Sequence, residues 1–133
     1  MTKKKWKILI IDDDLTMIRT LEKMLVNNAC DVISASDGES GYQKAKAHVP
    51  EAILLDLMLP DVGGQDVVRK LKADPATKNI PVVFVTVTLG VENDRGNEEI
   101  TVDGEAYRIF AKPIHQAKLW SVVRKTVNKA ING

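Results

Sequence analysis

The chain has 133 residues, of which 44% are hydrophobic and 28% charged, and its formal net charge is +1. That suffices for one domain with a sizeable core, expected to span residues 1–133, and it gives no reason to expect nucleic acid or an anionic membrane as partner. No apolar run is long enough to span a bilayer, residues 1–6 begin a signal peptide that never develops its apolar region, and the single cysteine, Cys30, excludes an internal disulfide. A cytoplasmic protein without membrane insertion is expected.

In chain order, residues 7–11 form a continuous apolar run ending in Asp12-Asp13-Asp14, a first strand. Met17, Ile18, Leu21, Met24 and Leu25 then recur at helical spacing, with Asp14 or Thr16 as N-cap and Asn27-Asn28 as the end. Residues 31–36 read as a second strand, and Asp37-Gly38 leads into a helix carrying Tyr42, Ala45 and Ala47 that stops before Pro50.

Residues 52–56 run apolar into Asp56, the pattern of a strand buried on both faces, and Pro60 and Gly63-Gly64 end it. Residues 64–73 give a third helix with Val67, Val68 and Leu71 on one side, and residues 80–86 a fourth strand ending in Thr86. Tyr107 to Ala111 is a strand, Lys112-Pro113 a turn, and Trp120, Val123, Val127 and Ile131 a helical stripe. Strands alternating with helices through short connections imply a doubly wound parallel sheet of five strands.

One segment breaks the alternation. Between Thr86 and Tyr107 stand Gly90, Gly96 and Gly104 with few apolar residues. Asp103-Gly104, between residues 100–102 and 105–107, is a strong hairpin signal. An irregular loop is the competing expectation, and an atypical fourth-helix region follows from either.

The polar residues that end these strands are Asp12 and Asp13, Asp56, Thr86 and Lys112. In a parallel sheet such ends share one edge, where ligands of open α/β sheets bind. Converging carboxylates repel, so a cation is expected, and an all-oxygen set that can be completed by phosphate oxygens suits Mg²⁺. Asp56 is then a candidate nucleophile, Thr86 a hydroxyl donor and Lys112 a point charge for phosphoryl oxygens.

These motifs, Ile-Leu-Ile-Ile-Asp-Asp-Asp at 8–14, Leu-Leu-Asp-Leu-Met-Leu-Pro-Asp-Val-Gly-Gly at 54–64, Phe-Val-Thr at 84–86 and Ala-Lys-Pro at 111–113, make the chain resemble a response-regulator receiver domain of the chemotaxis type. The resemblance implies a flavodoxin-like sheet of order 2-1-3-4-5, with Asp56 as phosphoacceptor. It also implies an acidic pair in Asp12 and Asp13, and Mg²⁺ ligands in Asp13, Asp56 and the backbone carbonyl of Met58. Thr86 becomes the switch hydroxyl and Lys112 the phosphate-binding lysine. The protein would be a phosphorelay module rather than an enzyme, catalysing only its own phosphorylation and dephosphorylation at Asp56. Its partners would be a sensor histidine kinase or phosphotransfer protein and a downstream protein.

Two positions depart from the family pattern: Val87 stands where a small residue is usual, and Ile109 where an aromatic switch residue is common. With no sequence after Gly133, a stand-alone regulator or an excised receiver is expected. A phosphatase of the haloacid-dehalogenase type shares the Asp, Thr, Lys and Mg²⁺ set but needs an acid/base Asp where Met58 stands. A receiver-like scaffold that works without phosphorylation is the remaining alternative.

Overall fold

The computed structural model describes residues 5–86, 99–111 and 114–132. Its elements are β1 (Lys7–Ile11), α1 (Leu15–Asn27), β2 (Asp31–Ala35), α2 (Gly38–His48), β3 (Ala52–Leu55), α3 (Gly64–Ala73), β4 (Val82–Thr86), β5 (Glu99–Val102), β6 (Glu105–Ala111) and α4 (Gln116–Asn132). The sheet order is β2-β1-β3-β4-β6-β5. Its first five strands are parallel, in the order that the receiver resemblance implied, with β6 as the last of them. β5 is an addition at the edge, antiparallel to β6.

Because the parallel strands are covered on both sides, successive residues enter two different cores. Ile8, Ile10, Leu54, Val83, Val85 and Phe110 face α1 and α4, where Leu21, Leu25, Leu119 and Val123 meet them. Leu9, Ile11, Ile53, Leu55, Phe84 and Ile109 face the other way, against Val67, Val68 and Leu71 of α3 and Val102 of β5. Full burial of one such aliphatic side chain contributes roughly 1.5–3 kcal/mol, which is why these short strands suffice. On the first side Trp6 and Trp120 pack with ring centroids 6.0 Å apart.

α1 begins at Asp14, whose carboxylate accepts from the amides of Thr16 at 3.0 Å and Met17 at 3.4 Å, and the choice between Asp14 and Thr16 as N-cap falls to Asp14. α2 is held to α3 by polar contacts: the Tyr42 hydroxyl donates to Asp74 at 2.5 Å, and Lys70 pairs with Glu39 and lies over the Tyr42 ring. The Tyr42 hydroxyl, ahead of the Ala76 amide and Lys46, holds the Asp74 carboxyl below its usual range.

Three expectations need correction in detail. The buried stripe of α4 is Leu119, Val123 and Val127; Trp120 is half-buried and Ile131 is 61% exposed. Ala47 of α2 is exposed, and that helix buries Gly38, Gly41 and Ala45. The strand expected from Tyr107 starts two residues earlier, because Glu105 and Ala106 pair with Val102 and Thr101. The hairpin between residues 100 and 107 is present, with Asp103 (φ 50°) and Gly104 (φ 87°) both in the left-handed region, as a type I′ turn requires. It is fastened to α3 by Arg69–Asp103 at 3.2 Å and Lys72–Glu105 at 3.3 Å. The expectation for residues 87–98 lies outside the described residues.

Candidate functional site

The last rungs of the parallel ladders set the site. The Asp12 amide donates to Ala35 at 3.0 Å and the Asp56 amide to Ile11 at 2.9 Å, so each aspartate side chain leaves the sheet one step past its apolar run. Burial at that point is nearly complete: Asp12 is 1%, Asp56 6% and Thr86 1% exposed. Asp13, next along, is exposed.

Asp12, Asp13 and Asp56 each bring a carboxylate oxygen within 4.8 Å of the others. Two buried carboxylates about 4–5 Å apart repel by roughly 4 kcal/mol at an effective dielectric near 20. Local donors offset part of that cost. Asp56 Oδ1 accepts from the Thr86 hydroxyl at 2.8 Å and from the Met58 amide at 3.2 Å. Asp12 Oδ1 accepts from the Asp14 amide at 2.9 Å. A set of three oxygen donors, two buried and one open to solvent, is the chemistry of a hard divalent cation that keeps some of its waters.

The β3–α3 loop leaves the sheet beside this cluster. The Gly64 amide donates to Leu57 at 2.8 Å, and Met58 and Gly63 form an isolated antiparallel bridge. A Cβ on Gly64 would stand 2.5 Å from the Asp56 carbonyl oxygen and 2.9 Å from Leu57 Cα, so the loop can return this closely only with glycine there. The Met58 side chain is 66% exposed. At the loop tip, Asp61 accepts from the amides of Gly38 at 2.8 Å and Glu39 at 3.0 Å, and these two bonds, Gly38 first, hold its carboxyl below the usual range.

Of the residues expected from sequence, Asp12, Asp13, Asp56 and Thr86 are brought together, and Met58 lies beside them. Lys112 and Val87 lie outside the described residues. Ile109 is buried against Phe84, and Tyr107, two residues earlier, shares its face and meets the Phe84 ring edge-on at 5.8 Å. Burial, ahead of the nearby Glu105, raises the Tyr107 pKa. Phe110 points into the opposite core. Sequence reasoning missed Asp61: a carboxylate that caps a helix 22 and 23 positions earlier leaves no local signature.

With this geometry the comparisons agree. The chain belongs to the response regulator receiver domain family, whose model matches residues 8–124. Response regulator PleD of Caulobacter vibrioides is 37% identical over 118 residues, covering 89% of this chain and 25% of PleD, so the chain spans about a quarter of that relative's length. A sensor protein from Polaromonas sp. JS666 superposes with a TM-score of 0.81 at 25% identity, covering 96% of this chain and 99% of that one. The receiver domain of a sensor histidine kinase from Pseudomonas aeruginosa PAO1, solved with a magnesium ion coordinated in its active site cleft, has a TM-score of 0.79 at 23% identity and shares the fold, covering 94% of this chain and 99% of that one. Homology to response regulators fits a phosphoacceptor role in two-component signalling. Among the described residues, no helix is long and apolar enough to cross a membrane.

Proposed function

We propose that residues 1–133 act as a cytoplasmic receiver in which Asp56 accepts a phosphoryl group from the phosphohistidine of a sensor kinase or phosphotransfer protein. The observation that supports this is the buried Asp56 carboxylate in a cluster with Asp12 and Asp13 and under the Thr86 hydroxyl. A carboxylate oxygen of Asp56 attacks phosphorus, the P–N bond breaks, and the histidine side chain departs as neutral imidazole once protonated. Thr86, already a donor to Oδ1, turns its hydroxyl to a phosphoryl oxygen, and Lys112 supplies a positive charge for another.

Asp12, Asp13, Asp56 and the Met58 carbonyl would hold Mg²⁺. The ion, when bound, offsets the repulsion between an anionic nucleophile and an anionic donor. The phosphoryl group carries roughly 1.5–2 negative charges in place of the single charge of the Asp56 carboxylate, and this added charge and its new oxygens bias a two-state equilibrium read by a downstream protein. On this reading the protein is a signalling module that catalyses only its own phosphorylation and dephosphorylation at Asp56.

Incubation with a small acyl phosphate and Mg²⁺, followed by intact-mass spectrometry, tests the reading. One phosphoryl group is expected on the wild type and none on Asp56→Asn. Asp13→Ala is expected to need far more Mg²⁺ for the same labelling. Undiminished labelling of Asp56→Asn sinks the assignment, and an unlabelled wild type leaves the phosphorylation-independent scaffold.

A further inference from the structure

We propose that Asp61 is a positioning residue for this site: by holding the N-terminus of α2 it fixes the β3–α3 loop that carries Met58 beside Asp56. The inference rests on the phosphoacceptor reading above. The loop comprises residues 57–63, closed at its base by the Gly64–Leu57 hydrogen bond and the Met58–Gly63 bridge. Its tip, Pro60 to Val62, is exposed. Among the described residues, the tip is tied to another element by the two hydrogen bonds that Asp61 accepts from α2.

α2 has its own cap. Asp37 accepts from the Ser40 amide at 2.7 Å, and the Asp37 carbonyl takes the Gly41 amide at 3.0 Å. The first two amides of the helix, Gly38 and Glu39, are thus given to a residue of a different element, and a helix N-terminus favours the negative charge it meets. The fit is steric as well as polar. A Cβ on Gly38 would lie 2.4 Å from Val62 Cγ2 of the loop tip and 2.9 Å from Val67 Cγ2 of α3, so a side chain at position 38 must displace the valines that now pack against it. Asp61 follows Met58 by three positions, with Leu59 and Pro60 between them, and Pro60 removes one backbone freedom from that short link, so displacement of the tip strains the backbone at Met58.

If Asp61 merely capped α2, its loss would lower stability and leave the acidic cluster unchanged. If it positions the loop, Mg²⁺ affinity falls as well, as it does when residues supporting a metal's ligands are removed. The test uses the full chain. Mg²⁺ alone is titrated by backbone amide NMR, and labelling by a small acyl phosphate is followed at rising Mg²⁺. Asp61→Ala is expected to raise the half-saturating Mg²⁺ concentration roughly tenfold, with the labelling rate at saturation retained. Asp61→Asn keeps an acceptor for one of the two amides and turns an NH2 group toward the other, so it is expected to recover only part of the affinity. Gly38→Ala, with Asp61 intact, is expected to reproduce the loss from the other side of the contact.

Wild-type Mg²⁺ half-saturation in both Asp61→Ala and Gly38→Ala overturns the proposal. Should Asp61→Ala fail to fold, the Asn and Gly38 variants decide alone. A wild type that is neither labelled nor shifted by Mg²⁺ defeats the phosphoacceptor reading itself, whereas a labelled wild type with indifferent variants defeats only the role of Asp61.

Discussion

Val49 ends α2 with φ 43° and ψ 66°, a left-handed conformation that a β-branched residue adopts at a cost, and its side chain is 53% exposed. Ala29 does the same after α1 with φ 63°, where the Cys30 amide reaches back to Leu25 and the Ala29 amide to Val26, each at 3.0 Å. Those two bonds form the helix stop that glycine usually occupies. Neither side chain is buried, so nothing is lost from the core by removing it. Val49→Gly and Ala29→Gly are each expected to stabilise the fold by about 1 kcal/mol, the relieved strain exceeding the added freedom of the unfolded chain. Thermal melts should show a rise of a few degrees for each, and a fall would mean that the left-handed residues are held without strain. Neither position was legible in the sequence. Asn27-Asn28 and Pro50 marked where the helices end, but not that Ala and Val would take the left-handed place.

The β5–β6 hairpin was legible, and for a local reason: Asp103-Gly104 supplies two residues that accept positive φ, flanked by short runs that can pair. A Cβ on Gly104 meets nothing within 4 Å, so Gly104→Ala isolates the backbone term. We expect it to cost about 1–2 kcal/mol, read as faster amide hydrogen exchange at Ile100 and Val102 while β1 keeps its protection. Equal protection in the variant would show that packing on α3, through Arg69, Lys72 and Val102, sets the hairpin without help from its turn. Helix α2 was harder to read. Its buried face is Gly38, Gly41 and Ala45, and a face made of small residues gives almost no apolar periodicity. The last helix was located correctly but rotated, because Trp120 and Ile131 outweighed Leu119 in the pattern although a half-exposed indole and an exposed terminal Ile contribute little to burial.

Across the whole molecule, the sheet was readable because both its faces are covered: β1, β3 and β4 are apolar without interruption, so the first polar residue after each marks the same edge. That is how Asp12, Asp56 and Thr86 could be placed together from sequence. Asp61 could not, since its partners belong to another helix. The same two-sided covering gives the molecule an optical consequence. The chain has only two tryptophans, Trp6 and Trp120, and they sit against each other on the core between the sheet, α1 and α4. Neither belongs to the acidic cluster or to the β3–α3 loop. Intrinsic fluorescence is therefore a gauge of whether the last helix remains docked on the first strand's side of the sheet. Denaturant should shift the emission as that indole pair separates, whereas saturating Mg²⁺ should leave it unchanged. An emission change on adding Mg²⁺ would mean that the cation is felt through the sheet by α4.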